Sequence, residues 1–269
     1  MTAILAGNGN SYHSYSLDDA LEGIAEAGFR YVELAASAWT EHVTLSGTWQ
    51  SVRAGQAHVR RRLDRHGLAA VALSTHSDIL TPSGLDNARR AVRWSGEFGL
   101  QVMNAAVGGQ VRSEADEAAF VAAARTLGDD AAAASVTVGL EIYGEILSSG
   151  AKARPLLDRV AHEHVGVNYD TANVTYYSGR PAAADLPAIL PHVVSVHLKD
   201  IIGGQGSWNF PAIGRGDVDI AAVLAVLGGA RYAGPMSVEI EFQGEPWPEV
   251  TEVNRAMRES FQYLRRLLP

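Results

Sequence analysis

The chain has 269 residues, with 22 basic against 30 acidic side chains, a formal net charge of −8 and no cysteine. The missing thiols exclude disulfide frameworks, thiolate zinc sites, iron–sulfur clusters and a cysteine nucleophile, and the acid excess speaks against a nucleic-acid binder, which usually carries a basic stripe. No apolar run of about 18 residues exists, and the opening MTAILAGNGNSYHS lacks the basic start and long apolar stretch of a signal peptide, so a cytoplasmic enzyme with one domain over residues 1–269 is expected.

In chain order, short apolar runs alternate with amphipathic stretches. Residues 3–7 read as a strand and 17–27 as the helix after it. The next pairs are 31–34 with 51–66, 69–74 with 85–98, and 101–107 with 114–134, the last helix Ala-rich because Ala is the best helix former. Then follow 136–141 with 151–162, 165–170 with 183–190, 193–198 with 220–227, and 236–241 with 248–267. These eight strand–helix units recur every roughly 30–40 residues, the scale of a βα repeat. Near-continuous apolar runs suit parallel strands covered on both faces. Eight of them predict a single (β/α)8 barrel. The competing architecture, an open doubly wound sheet, would carry a glycine-rich phosphate turn after its first strand. The stretch Gly7-Asn-Gly-Asn does not complete that pattern.

Chemistry in such a barrel sits at the C-terminal strand ends. The second strand offers Glu33, the third Ser74 and His76, and the fourth Asn104. The fifth ends at Glu141, and the sixth at Asp170 with Asn173 three residues on. The seventh ends at His197, followed by Lys199 and Asp200, and the eighth holds Glu239 and Glu241. Buried ionised carboxylates are expensive unless paired or bound to a metal. Each residue alone has a plain structural reading. Asp170 suits an Asx-turn or a helix cap, His197 a hydrogen-bonded core position, and Glu33 a salt bridge inside the mouth. Glu141 and Glu239 have Lys199, Arg215 and Arg231 as candidate partners. Taken together, Glu141, Asp170, His197 and Glu239 lie on four successive strands and can converge on one point. Three carboxylates and one imidazole match a single divalent ion such as Mn, Mg or Co, with Zn as an alternative.

Five short motifs point the same way. Leu140-Glu-Ile-Tyr, Asn168-Tyr-Asp-Thr-Ala-Asn, Val196-His-Leu-Lys-Asp, Gly214-Arg-Gly-Asp-Val-Asp and Ser237-Val-Glu-Ile-Glu resemble the xylose isomerase-like (AP-endonuclease family 2) barrels. The resemblance covers essentially the whole chain and is most specific over 136–245. It implies that Glu141, Asp170, His197 and Glu239 are metal ligands and that Glu141 and Glu239 also act as acid and base. The repair endonucleases of the family hold further zinc ions with extra histidines. Here Asn104, Asn173 and Gly216-Asp-Val-Asp stand where those histidines would come, which leaves a one-metal site.

The implied chemistry is proton removal beside a carbonyl, with an enediolate stabilised by the ion. Two bases on opposite faces give a sugar epimerase, and one shuttling base gives an isomerase. A lyase or dehydratase acting on keto-sugars, keto-inositols or 3-keto-glycosides is the alternative, with His76 protonating the leaving group. A non-catalytic sugar-binding barrel is the third reading. The expected partner is a small carbohydrate, with no nucleic acid and no membrane; a homo-dimer or tetramer fits the expectation. Substrate contacts are expected from His76, Asn173, Lys199, Arg215 and Trp208. Lys199 and Arg215 suit hydroxyls, a carboxylate or a phosphate, although Arg215 equally suits a tether for its glycine-flanked loop. Trp208 and Phe210 suit a wall over a sugar face, a subunit contact or core packing. Glycines after the last two strands resemble barrel phosphate sites, without a specific phosphate motif. Tyr12, Trp39 and Trp49 are candidates to close the pocket.

Overall fold

A computed structural model describes residues 4–37, 39–107 and 113–268; Ala3, the expected start of the first strand, lies outside them. The strands are β1 (Ile4–Asn8), β2 (Tyr31–Ser37), the two-residue β3 (Thr40–Glu41), β4 (Ala69–His76), β5 (Val102–Ala106), β6 (Thr137–Glu141), β7 (Val165–Asp170), β8 (Val193–Leu198) and β9 (Pro235–Val238). All but β3 run parallel in the order β1-β9-β8-β7-β6-β5-β4-β2, and β2 pairs back on β1 to close an eight-stranded TIM barrel. Every residue of β5, β7 and β9 is buried, as strands covered on both faces require. The helices around them are α1 (Leu17–Ala27), α2 (Trp49–His66), α3 (Pro82–Phe98), α4 (Glu114–Ala134), α5 (Gly150–Val160), α6 (Asn173–Ser178), α7 (Ala182–Asp185), α8 (Ile220–Gly229) and α9 (Val250–Leu267). Among the described residues, no helix is long and apolar enough to cross a membrane.

Side-chain caps fix where most of these helices begin. Ser16 opens α1 with a capping box: its hydroxyl accepts from the Asp19 amide, and the Asp19 carboxylate accepts from the Ser16 amide. Thr48, Thr81, Ser113, Ser149 and Asp219 cap α2, α3, α4, α5 and α8 by accepting a first-turn amide proton. Three of these starts precede the sequence expectation: α2 begins at Trp49 rather than 51, α3 at Pro82 rather than 85 and α5 at Gly150 rather than 151, because the capping hydroxyls act from outside the apolar pattern.

Three larger departures concern the second half of the barrel. The expected helix over 183–190 is instead the short α7 followed by two 3-10 turns, Leu186–Ala188 and Leu190–His192. Pro187 and Pro191 cannot donate to a continuing helix, and they break it. A helix that the apolar pattern does not show, α6, starts directly after β7. The last strand stops at Val238, short of the expected 241. Beyond it the Ile240 amide donates to the Ser11 hydroxyl at 2.9 Å, and Phe242 pairs with Phe210 across the mouth. Glu239 and Glu241 are thereby carried over the end of the barrel.

The loop after β8 is organised by one buried carboxylate. Asp200 accepts hydrogen bonds from the amides of Ile201, Gly214, Gly216 and Val218 at 3.0, 2.8, 2.9 and 3.0 Å. A Cβ at Gly216 would come within 2.4 Å of the Asp200 Oδ1, so glycine is required there. Replacing Asp200 by Ala leaves these amides without an acceptor in a dry site. We expect Asp200→Ala to lose about 3 kcal/mol of unfolding free energy, read as a lower midpoint in urea.

Candidate metal centre

Glu141 ends β6, Asp170 ends β7, His197 is the penultimate residue of β8, and Glu239 follows β9. Asp170 and His197 are register partners on neighbouring strands, which sets them side by side. All four are buried, and each offers one ligand atom within 4.8 Å of the others. The His197 Nδ1 lies 3.3 Å from Glu239 Oε2, 3.6 Å from Glu141 Oε1 and 4.0 Å from Asp170 Oδ2. Two of these converging atoms, His197 Nδ1 and Asp170 Oδ2, have no hydrogen-bond partner. Buried polar atoms rarely go unpartnered, and two aimed at one point between carboxylates fit a bound cation. The donor set suits a hard or borderline divalent ion.

Each group is held from behind. Asp170 Oδ1 accepts from the amides of Ala172 and Asn173 at 2.9 and 2.7 Å. The turn expected of this residue is therefore present, and it frees Oδ2 to face the centre. Asn173 does not line the mouth; its amide donates to Glu141 Oε1 at 3.1 Å. Asn10 does the same for Glu239, donating to its Oε1 at 3.0 Å. The His197 Nε2 meets Glu33 Oε1 at 3.1 Å. A carboxylate only accepts, so Nε2 carries a proton, and Nδ1 is the ring nitrogen that faces the centre. Glu33 is itself held by Asn104 at 2.9 Å, and Ser195 ties Asn104 to Asn168 below. Gly139 makes room for this layer, since a Cβ there would sit 2.4 Å from Asn104 Oδ1. Glu33 is thus the salt-bridge partner the sequence suggests, aimed at the histidine.

Lys199 supplies the local positive charge. Its Nζ is 3.2 Å from Glu239 Oε2, 3.6 Å from Asp170 Oδ2 and 2.5 Å from Glu241 Oε2. Burial opposes the charge on Glu239, but Lys199 and His197 hold its carboxyl well below the usual range. Burial also opposes charge on His197, yet Glu33 and Glu239 lift it well above an ordinary histidine. That is the response of a ring in an anionic cluster, where a divalent ion would replace the proton on Nδ1. Burial, opposed by Lys199 and reinforced by Glu141 and Glu239, pushes Asp170 up to about 7.

A cavity of about 250 Å³ opens beside the cluster, walled by Trp39, His76, Tyr143, Trp208 and Trp247 and floored by Asn10. His76 lies between Trp39 and Tyr143, at ring distances of 4.7 and 5.8 Å. Trp208 lines the cavity as expected. Arg215 does not: it is exposed and pairs with Glu259 on α9 at 3.1 Å, because the Asp200-bound loop turns it away from the mouth. Of the aromatic residues expected to close the pocket, only Trp39 reaches it. Tyr12 is fully buried against Gly23 and Asn254. Trp49 lies on the first turn of α2, where its Nε1 donates to Glu97 at 2.9 Å and Arg93 covers its ring at 3.8 Å. The sequence reading missed Asn10, Tyr143 and Trp247. For Asn10 there was a signal: paired asparagines directly after an apolar strand, in a segment weighed only as a phosphate turn.

With this geometry in hand, similarity to known proteins adds the lineage. An L-ribulose-5-phosphate 3-epimerase of Salmonella paratyphi C is 26% identical over 184 residues, which cover 67% of this chain and 62% of that protein. A 3-dehydroshikimate dehydratase of Pseudomonas putida is 26% identical over 242 residues, 84% of this chain and 36% of that protein. The chain thus spans less than two thirds of the length of either relative. A D-allulose 3-epimerase structure from Methylomonas sp. superposes with a TM-score of 0.78 at 19% identity, covering 99% of this chain and 98% of the other. The model of the xylose isomerase-like TIM barrel family matches residues 21–267, and the chain belongs to that family.

Proposed function

We propose that the protein is a divalent-metal-dependent sugar isomerase or epimerase, cytoplasmic and acting on a small carbohydrate. The convergence of His197 Nδ1 and Asp170 Oδ2, both buried and without a hydrogen-bond partner, with Glu141 and Glu239 carries this reading. Glu141, Asp170, His197 and Glu239 would hold a divalent ion, which when bound would supply positive charge beside a carbonyl oxygen of the substrate. The donor set fits Mn, Mg or Co, with Zn as the alternative.

The chain's own groups do the rest. Glu141 and Glu239 come from β6 and from the end of β9, on either side of the β7–β8 pair. One carboxylate takes the carbon-bound proton and the other returns one. Asn173 and Asn10 each hold one oxygen of their glutamate, so the reacting oxygens keep a fixed direction. Two bases approaching from two sides favour epimerisation over a single-base shuttle. Lys199, pinned between carboxylates, keeps Glu239 charged and ready to accept.

Elimination is the second reading, supported by the relation to a dehydratase. It needs an acid for the leaving group. Burial holds the His76 imidazole below its ordinary value, which keeps it neutral at physiological pH and weakens it in that role.

Four outcomes test the assignment. Metal-loaded protein incubated with ketoses in deuterated water should place deuterium on carbon without releasing water or an aglycone. Glu141→Gln and Glu239→Gln should each slow that exchange by about 10²–10⁴-fold. Asp170→Ala or His197→Ala should abolish stoichiometric Mn or Co binding in calorimetry, and retained binding overturns the ligand set. Finally, below about pH 7 Asp170 carries a proton that the ion must displace. Metal affinity should therefore be greatest above neutrality and fall by about tenfold or more from about pH 8 to about pH 6, measured by the same titration.

A further inference from the structure

We propose that the substrate is a sugar without a phosphate group, whose end remote from the metal centre lies against the aromatic wall formed by Trp39, Trp208 and Trp247. This rests on the reading of the site as a sugar-transforming centre and narrows it.

Phosphate recognition at a barrel mouth needs arginine, lysine or a nest of free backbone amides in the loops after the last strands. This chain has the nest, and one of its own carboxylates fills it. The amides of Ile201, Gly214, Gly216 and Val218 all donate to Asp200, which is wholly buried. The Gly203 amide in the same loop donates to Asp217 at 2.8 Å. Among the described residues, the two cations expected at the mouth are committed as well. Arg215 faces outward on Glu259, and Lys199 is buried among Asp170, Glu239 and Glu241. Among the described residues the cavity lining has neither arginine nor lysine, and it carries Glu241 and Glu245. A phosphate dianion would enter a field of its own sign.

The wall also shows what it does accept. Trp39 Nε1 already donates to Asn10 Oδ1 at 3.1 Å, and Trp247 Nε1 to the Ser11 carbonyl at 3.2 Å. His13, packed edge-on against Trp247, is engaged with Glu245 at 3.0 Å. With those two indole donors spent, Trp39 and Trp247 present faces and edges, which pack on C–H surfaces, while the buried His13 Nε2 and His76 Nδ1, which have no hydrogen-bond partner, are left to meet hydroxyls. Trp39 and Trp208 are 43% and 41% exposed, large for tryptophans in a folded core and suited to a ligand that covers them.

The test compares matched pairs on metal-loaded protein: D-fructose with D-fructose 6-phosphate, and L-ribulose with L-ribulose 5-phosphate. Binding is read by tryptophan fluorescence with inorganic phosphate present in both arms, which masks simple anion capture by the metal. Turnover is read by deuterium uptake. The free sugar should bind at least about tenfold more tightly than its ester, a difference of about 1.4 kcal/mol. Trp208→Ala should weaken free-sugar binding by about three- to tenfold and Trp208→Phe should restore most of it. Equal or tighter binding of the esters overturns the proposal, as does no binding by either member of any pair. Free sugar that binds as expected but exchanges no deuterium leaves this inference standing and counts instead against the isomerase or epimerase reading.

Discussion

Three carboxylates buried within 4.8 Å of one another, on Glu141, Asp170 and Glu239, with that of Glu33 behind the His197 ring, repel each other in a medium that screens poorly. The mouth of the barrel is built around that repulsion. Asn10, Asn104 and Asn173 each turn an amide toward one of the acids, and Lys199 bridges two of them. What these donors do not satisfy converges on a single point. The affinity of that point for a cation and the instability of the acids without one are the same free energy viewed from two sides. A centre assembled in this way selects its ion by charge and donor hardness, and the surrounding hydrogen bonds leave it little room to rearrange.

Most of the barrel is legible from periodicity. The strand over 165–170, the strand over 193–198 and the helices over 17–27 and 114–134 have the bounds the apolar pattern gives, because nothing at their ends competes with burial. The ligand set is legible for a related reason: an acid that ends an apolar strand must be compensated. The failures occur where distant residues decide. Asn10 owes its role to Glu239, 229 positions away, and no local pattern announces that contact. Arg215 sits between two glycines and looks like a reaching side chain. Its direction is set by Asp200 and by Glu259, 44 positions on. The early end of the last strand likewise depends on Ser11 and Phe210, which pull the chain out of the sheet.

The two glutamates share a supporting logic although they come from different elements. Asn173 grips Glu141, Asn10 and Asn8 grip Glu239, and only Glu239 also touches the ammonium of Lys199. The pair is therefore chemically unequal before any ligand arrives. Unequal carboxylates suit a reaction in which one group must give up a proton while the other gains one.

The closure of the barrel links the first strand to the last. Leu5 is paired with Met236, and Asn10 completes the setting of Glu239 across the same seam. Joining those strands means closing a very long loop, a contact of high sequence separation that is slow to form and entropically costly. The cluster is complete only once that seam is closed, since Asn10 and Glu239 meet across it. A partly folded barrel would already hold Glu141, Asp170 and His197 on neighbouring strands while lacking the fourth ligand. A divalent ion bound at this site would latch the finished fold, stabilising the native state by mass action. Loss of the ion would loosen the seam between the two ends of the barrel before any other part of it.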